Sequence, residues 1–229
     1  MVEREQYRIQ CEWGLAGLRA LAPLSDAVAI ADVLSFSTAV DIAVARGATI
    51  LPSLWRDDSE SARSRSVGYS LSPASLLAIP PGTALVLPSP NGSALSLHGS
   101  DIPTYTVCLR NCEAVAAKLS AYERVAVIPA GEKWPDGSLR PCLEDWICAG
   151  ALIAALAGKR SPEAELAVAA FERFRGDLGA ALADCVSGRE LIDRGFARDV
   201  DLAAEYAVSS AVPILTADRY VNAVRSPEL

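Results

Sequence analysis

The sequence predicts an α/β fold, in which a largely parallel or mixed sheet is covered by helices on both faces. Three observations support this fold class. Short apolar runs rich in β-branched residues alternate with segments of helical periodicity up to about residue 160. The length of 229 residues suits one domain, and 51% hydrophobic residues can fill its core. We therefore predict a single domain over residues 1–229, with two tightly packed lobes as the alternative.

The first βα unit is the clearest. Ala27–Ala31 is apolar throughout and predicts a buried strand, and Ser37–Arg46 has the spacing of a helix. A serine at its start and Gly47 just after its end are typical helix boundaries. A second strand is predicted at Ala48–Leu51.

The same alternation continues along the chain. Further strands are predicted at Ala84–Leu87, Thr104–Leu109 and Arg124–Ile128. The helices that follow them are predicted at Ser93–Leu97, Cys112–Leu119 and Leu143–Ala157. The C-terminal part is predicted to contain helices at Pro162–Ala183 and Gly188–Phe196 and a strand at Ala211–Leu215. Residues 53–82 lack periodicity and are predicted to be a long connecting segment or a lid.

Charge and composition exclude several classes of protein. The net charge of −7 argues against nucleic-acid binding, which needs a basic face. The longest apolar run, Ile147–Ala157, is about half of the ~20 residues that a membrane span requires, and the charged N-terminus is unlike a signal peptide. Six cysteines without a C-x-x-C pair and a single histidine give no zinc framework. We expect reduced thiols and a cytoplasmic protein.

Polar residues are concentrated in the loops after the predicted strands, where parallel strands place ligands. The loop residues are Asp32, Ser35, Ser37 and Thr38; Ser89, Asn91, Gly92 and Ser93; Arg110 and Asn111; and Gly131, Glu132 and Lys133. Glu144 and Asp145 begin the next helix, and Arg140 precedes it. Carboxylates bind a hard cation such as Mg²⁺, whereas amides, hydroxyls and arginine bind phosphate. Together these loops predict a site for a metal ion and an oxyanion.

Each of these residues also has an ordinary structural interpretation. A lone aspartate after a strand, such as Asp32, is often a turn or cap residue. Glu144 and Asp145 would stabilise the first turn of their helix by opposing its dipole. Asn91-Gly92 is a common turn dipeptide. The pair Asp199 and Asp201 is interpreted as part of a solvated helix face.

Several motifs follow one another in the order of a known family. They are D-V-L-S-F-S-T (32–38), S-P (72–73), S-P-N-G-S (89–93), R-N (110–111), A-G (130–131), E-D (144–145) and V-P (212–213). With this series the chain resembles the 2-phosphosulfolactate phosphatases, Mg²⁺-dependent enzymes associated with coenzyme M biosynthesis. The resemblance implies an α/β fold and hydrolysis of a small phosphorylated acid, such as 2-phosphosulfolactate, to the hydroxy acid and phosphate.

Our hypothesis for the site assigns a role to each motif residue. The predicted metal ligands are Asp32, Glu132, Glu144 and Asp145. The predicted phosphate or substrate ligands are Ser35, Ser37, Thr38, Ser89, Asn91, Gly92, Ser93, Gly131 and Arg140. Arg110, Asn111 and Lys133 are predicted to act in catalysis with Asp32. Attack by water and formation of an aspartyl intermediate at Asp32 both remain open.

Two alternative functions follow from one difference between this sequence and the family that it resembles. Members of the resembled family typically have arginine after D-V-L, where this chain has Ser35. Serine cannot supply the bidentate fork with which arginine binds an acidic group. The alternatives are an enzyme of the same family that acts on a different phosphate ester, and a non-catalytic protein that binds small anions. No nucleic-acid or membrane partner is expected, and homo-oligomerisation stays open.

Overall fold

The computed structural model describes residues 6–54, 68–99 and 102–223. Within them, the strands are β1 Ile9–Cys11, β2 Ala27–Ala31, β3 Thr49–Ser53, β4 Ala84–Pro88, β5 Thr104–Val107, β6 Val125–Pro129, β7 Glu132–Lys133, β8 Leu139–Arg140, β9 Pro213–Thr216 and β10 Arg219–Asn222. The α-helices are α1 Gly14–Leu21, α2 Phe36–Ala45, α3 Gly92–His98, α4 Cys112–Leu119, α5 Leu143–Ala154, α6 Pro162–Phe174, α7 Leu178–Asp184, α8 Val186–Asp193 and α9 Ala197–Ala204.

Eight of these strands form one mixed sheet in the order β1-β6-β2-β5-β9-β10-β3-β4. Strands β1, β6, β2 and β5 are parallel to one another. The hairpin β9–β10 is antiparallel to both of its neighbours, so that β3 and β4, which are mutually parallel, run opposite to β2. Strands β7 and β8 form a separate two-stranded ribbon. The predicted α/β class with a mixed sheet is confirmed.

Helices cover both faces of the parallel part, as the uninterrupted apolar sequence of β2 predicts. Successive side chains of a strand point to opposite faces. Ala27, Ala29 and Ala31 accordingly pack into a core cluster with residues of α4 and α5, whereas Val28 and Ile30 pack with residues of α1 and α3. Each face of β2 is thus fully buried, and Asp32 is the first polar residue beyond its carboxyl end.

The sheet bends strongly around α2. In a flat sheet β4, five positions from β2, would lie about 24 Å away from it. The amide of Gly92, four residues beyond the end of β4, nevertheless lies 2.6 Å from the carboxylate of Asp32, which follows β2. Helix α2 packs against β3, β5, β9 and β10, inside this bend. The loop after β4, a strand that runs opposite to β2, therefore reaches Asp32 through the curvature of the sheet.

The described elements follow the predicted ones closely, with one split helix and several additions. The segment predicted as one helix over Pro162–Ala183 contains α6 and α7, because the side chain of Asp177 accepts a hydrogen bond from the amide of Ala180 and begins a new helix. Strands β1, β7, β8 and β10 and helix α1 were not predicted. Within the predicted connecting segment, residues 55–67 lie outside the described residues, and Pro73–Leu76 forms a 3₁₀ turn.

The described residues contain no helix long and apolar enough to cross a membrane. All six cysteines are free and buried, in agreement with the expected thiols. Burial raises the pKa of the Cys108 and Cys148 thiols well above the usual value, so these side chains are uncharged packing groups.

The crossing of α5 and α6 depends on Gly150. A Cβ atom at this position would lie 2.6 Å from the carbonyl carbon of Ala167 and closer still to its oxygen. Because both atoms belong to the backbone of α6, the helices would have to separate.

We expect Gly150→Ala to destabilise the fold by about 3 kcal/mol in unfolding free energy, measured by urea unfolding. Gly176→Ala is the matched control, since no atom lies within 4 Å of its added Cβ; equal midpoints for both variants would contradict this packing argument.

Candidate active site

A cavity of about 530 Å³ lies where the loop after β2 meets the end of β4 and the helices α8 and α9. Cavities of about 300–1,000 Å³ are typical of small-molecule sites. Its walls are Asp32, Leu34 and Ser35; residues 69–72; residues 86–91; Glu132; and Ser187, Glu190, Leu191, Arg194, Phe196 and Asp199. The carboxylate, hydroxyl and amide groups predicted at Asp32, Ser35, Ser89, Asn91 and Glu132 are thus brought together.

Asp32 is held rigidly at the wall of this cavity. Its Oδ2 atom accepts hydrogen bonds from the amide of Gly92 at 2.6 Å and from Oγ of Ser89 at 3.2 Å. Its Oδ1 atom accepts none from the residues that the structure describes. Burial, followed by the negative charge of Glu132, raises the pKa of Asp32 to about 7. One carboxylate oxygen is therefore fixed by the protein and the other is available to a ligand.

Asp145 connects two of the loops behind the cavity. Its Oδ1 accepts a hydrogen bond from the amide of Val33, and its Oδ2 accepts one from the amide of Gly131, both at 2.8 Å. Burial and the neighbouring charges of Glu144 and Asp32 raise the pKa of this carboxyl well above its usual value. Asp145 thereby fixes the loop after β2 against the loop after β6.

The four predicted metal ligands divide into two pairs. Asp32 and Glu132 line the cavity, whereas Glu144 and Asp145 are buried outside it. In the described part of the chain, no three histidine, cysteine, aspartate or glutamate side chains form a cluster that could hold a metal ion. None of the four makes an ion pair with a lysine or arginine of that part. Mg²⁺ is usually held by one or two carboxylates, waters and substrate phosphate, so the pair in the cavity fits this cation.

Comparison with known proteins identifies the family of this chain. Residues 60–218 match the family model described as 2-phosphosulpholactate phosphatase. The chain belongs to the 2-phosphosulpholactate phosphatase family. The matched segment contains the loop of Ser89 and Asn91 as well as Glu132, Arg194 and Asp199.

Three curated members of this family are similar to parts of the chain. A probable 2-phosphosulfolactate phosphatase from Pseudothermotoga lettingae is 28% identical over 60% of this chain and 60% of its own length. Another from Gloeobacter violaceus is 36% identical over 49% and 46% of the two chains. The 2-phosphosulfolactate phosphatase of Methanothermobacter thermautotrophicus is 31% identical over 58% and 56%. The chain thus matches about half to three fifths of the length of these relatives.

Three hydroxyls predicted to bind phosphate instead hold the loops of this phosphatase-family site in place. Oγ of Ser37 accepts a hydrogen bond from the amide of Asp32, and Oγ1 of Thr38 donates to the carbonyl of Val33. Oγ of Ser93 donates to the carbonyl of Leu87 at the end of β4. All three residues are fully buried and outside the lining of the cavity, so the structure does not bring these predicted phosphate ligands to it.

Two backbone groups are also engaged within the protein. The Gly92 amide, predicted to cradle phosphate, donates to Asp32 instead. The Gly131 amide, with the same predicted role, donates to Asp145. Both glycines therefore shape the site by fixing carboxylates.

Arg110 and Asn111 lie away from the cavity. The guanidinium of Arg110 donates from Nε to Asp41 at 2.9 Å and forms a second ion pair with Glu205. The Oδ1 atom of Asn111 accepts a hydrogen bond from the amide of Cys108, and this residue is fully buried. Neither side chain lines the cavity of Asp32. Two carboxylates hold Arg110, whereas Nδ2 of Asn111 is buried and has no hydrogen-bond partner among the described residues.

The two remaining basic residues of the predicted site lie beside the cavity. Lys133 lines a second, neighbouring cavity of about 310 Å³, which shares Asn91 and Glu132 with the first. Arg140 donates to Oγ of Ser187 at 3.3 Å, with its guanidinium 5.8 Å from the ring of Trp134. Arg140 thus contacts a residue of the cavity wall without lining the cavity itself.

Sequence reasoning missed the wall formed by α8 and α9. The interpretation of Asp199 as a solvated residue is wrong, because it is 2% exposed and its Oδ1 accepts hydrogen bonds from Ser72 Oγ and the Ala74 amide, both at 2.8 Å. Asp199 shares a buried helix face with Leu202 and Ala203, three and four residues later. This three- and four-residue spacing is the sequence pattern that could have indicated that Asp199 lies on a buried helix face. Asp201 is exposed, as predicted.

We expect Asp145→Asn to disturb the site without changing its lining. The new NH₂ group cannot accept a hydrogen bond, so the amide of Val33 or of Gly131 would lose its partner in a buried place. The expected cost is about 2 kcal/mol in unfolding free energy, measured in urea. Asp201→Asn, a change at an exposed position with only a 4.0 Å ion pair, is the control. An Asp145→Asn protein as stable as that control would contradict the positioning role.

Proposed function

We propose that this chain is a Mg²⁺-dependent phosphatase that hydrolyses a small phosphorylated acid to the hydroxy acid and phosphate. The family and the printed names of its relatives support a phosphate ester such as 2-phosphosulfolactate as the substrate. The observation that supports a catalytic site most strongly is Asp32, with Oδ2 fixed by two hydrogen bonds and Oδ1 left for a ligand at the cavity wall.

The phosphate group would bind between Asp32 and the turn of residues 89–91. The side chain of Asn91 is the donor that this turn offers to the cavity, since the hydroxyl of Ser89 already donates to Asp32. Ser35, three residues after Asp32 in the sequence, also lines the cavity, and its hydroxyl has no hydrogen-bond partner among the described residues. These groups would orient the ester with its phosphoryl group beside Asp32.

Asp32 and Glu132 are the residues that would hold Mg²⁺. When bound, the cation would offset the negative charge of the phosphoryl group and of the two carboxylates. Burial, followed by the negative charge of Glu132, raises the pKa of Asp32, so a cation placed between the two carboxylates would stabilise their charged forms. Asp145 would keep the Asp32 loop in place during turnover through its bond to Val33.

Release of inorganic phosphate tests this function. The purified chain is assayed with 2-phosphosulfolactate and 2-phospholactate in Mg²⁺, after EDTA, and after Mg²⁺ is restored. We expect phosphate release from at least one ester, its loss in EDTA, and its recovery with Mg²⁺. Tight ester binding without phosphate release would instead favour a non-catalytic anion-binding protein. Release that is unchanged in EDTA would refute the metal dependence.

A further inference from the structure

The cavity contains a large apolar wall that a three-carbon phosphorylated acid would leave uncovered. Leu71, Val86, Leu191 and Phe196 line it, and the side chains of Val86 and Phe196 are 43% and 38% exposed. Apolar side chains that are exposed inside a concave surface favour a ligand that removes them from water. The groups assigned above to the phosphate and to the cation belong, in contrast, to the loops of Asp32, Asn91 and Glu132.

Arg194 is the only lysine or arginine among the described residues that line this cavity. It follows the last turn of α8, and its guanidinium carbon lies 5.8 Å from the centre of the Phe196 ring. No carboxylate of the described residues lies within 4.0 Å of it. Contact of a guanidinium with an aromatic ring leaves the N–H groups along its edge free to bind an anion.

The other charged groups of the cavity are already engaged or negative. Asp199 accepts hydrogen bonds from Ser72 and from the amide of Ala74. Asp32 and Glu132 are assigned above to the cation, and Glu190 is an exposed carboxylate one helical turn before Arg194. An acidic group of a substrate therefore has one cationic partner in the described wall, next to the apolar surface.

We infer that Arg194 binds a carboxylate of the substrate and that Leu71, Leu191 and Phe196 contact an apolar side group attached to the same molecule. The substrate class is then a phosphorylated hydroxy acid with an aliphatic or aromatic side group. This inference rests on the proposed phosphatase function and adds the groups that select the ester.

Three phosphate esters test the carboxylate contact with Arg194 and the apolar contact separately. The phosphate ester of 3-phenyllactate contains both groups, 2-phospholactate lacks the phenyl group, and 2-phenylethyl phosphate lacks the carboxylate. We expect kcat/KM of the wild-type chain to be about tenfold or more higher for the first ester than for either of the others. 2-Phosphosulfolactate is included as the reference ester.

Arg194→Gln is the decisive variant. We expect it to lower kcat/KM for the 3-phenyllactate ester by about tenfold or more and to leave 2-phenylethyl phosphate within about twofold. Arg194→Lys should recover part of the loss, since it restores the charge without the planar fork. The control is Arg198→Ala, which removes an arginine that is 62% exposed and lies outside the cavity wall.

The outcomes distinguish this inference from the function on which it rests. Preference for 2-phospholactate or 2-phosphosulfolactate over the phenyl ester would overturn the apolar contact. An equal loss for esters with and without the carboxylate in Arg194→Gln would overturn the role of Arg194. Both results would leave the phosphatase function standing. Absence of phosphate release from all four esters, in a folded protein with Mg²⁺, would overturn the function and this inference together.

Discussion

Replacement of Asp32 by asparagine is expected to lower kcat by about 10²-fold or more, with little change in the fold. The variant keeps the size of the side chain but removes its negative charge. The cavity then lacks one of the two carboxylates that are proposed to hold Mg²⁺. An asparagine can still accept the hydrogen bond from the Gly92 amide, so the loop should keep its shape. Phosphate release measures the effect, and circular dichroism verifies the fold.

The matched control for this change lies at the other end of the same strand. Asp26 precedes β2, is partly exposed, and pairs with Arg124 at 3.0 Å. Asp26→Asn should leave kcat unchanged, because this carboxylate lies outside the cavity wall. If Asp32→Asn retained wild-type turnover, Asp32 would have to be removed from the proposed site.

The second large effect is expected for Gly92→Ala. A Cβ atom at this position would lie 2.6 Å from Oδ2 of Asp32 and would overlap the ring of Phe36. Phe36 is fully buried and packs edge-on against Tyr220, with ring centres 6.0 Å apart, so it has little room to move. Asp32 would therefore be displaced, and a displacement of about 1 Å can cost about 10²-fold in rate.

Gly92→Ala is compared with a second glycine near the start of a helix. Gly179 lies in α7, and its added Cβ would be 3.7 Å from the nearest atom, Oδ1 of Asp177. Gly179→Ala should leave kcat unchanged, and alanine at a helical position should preserve stability. Phosphate release and urea unfolding are measured for both variants. Wild-type kcat in Gly92→Ala would show that the close approach of Gly92 to Asp32 is unnecessary for activity.

The fold was predictable from the sequence wherever its periodicity is local. The apolar run of β2, the helical spacing of α2 and the alternation that follows determine the α/β class. The direction of β4 was not predictable, because it depends on the hairpin β9–β10, which is inserted more than 100 residues later in the chain. Sequence alternation indicates neighbouring elements and says little about such an insertion.

The site was predictable in its residue types and less so in their roles. Asp32, Ser89 and Asn91 were identified as loop residues, and the structure brings them together. The partners of Arg110 could not be foreseen, because Asp41 and Glu205 are 69 and 95 residues away in the chain. A charged residue after a strand faces either a ligand or an internal partner, and only the tertiary contacts distinguish these cases.

The most direct test of the central claim is a crystal structure of the chain with Mg²⁺ and orthovanadate, a mimic of the transferred phosphoryl group. We expect vanadate in the cavity, with a hydrogen bond from the side chain of Asn91, and Mg²⁺ bound to Asp32. The claim would be contradicted by vanadate bound beside Arg110, or in the neighbouring cavity beside Lys133, with Asp32 free of both ions.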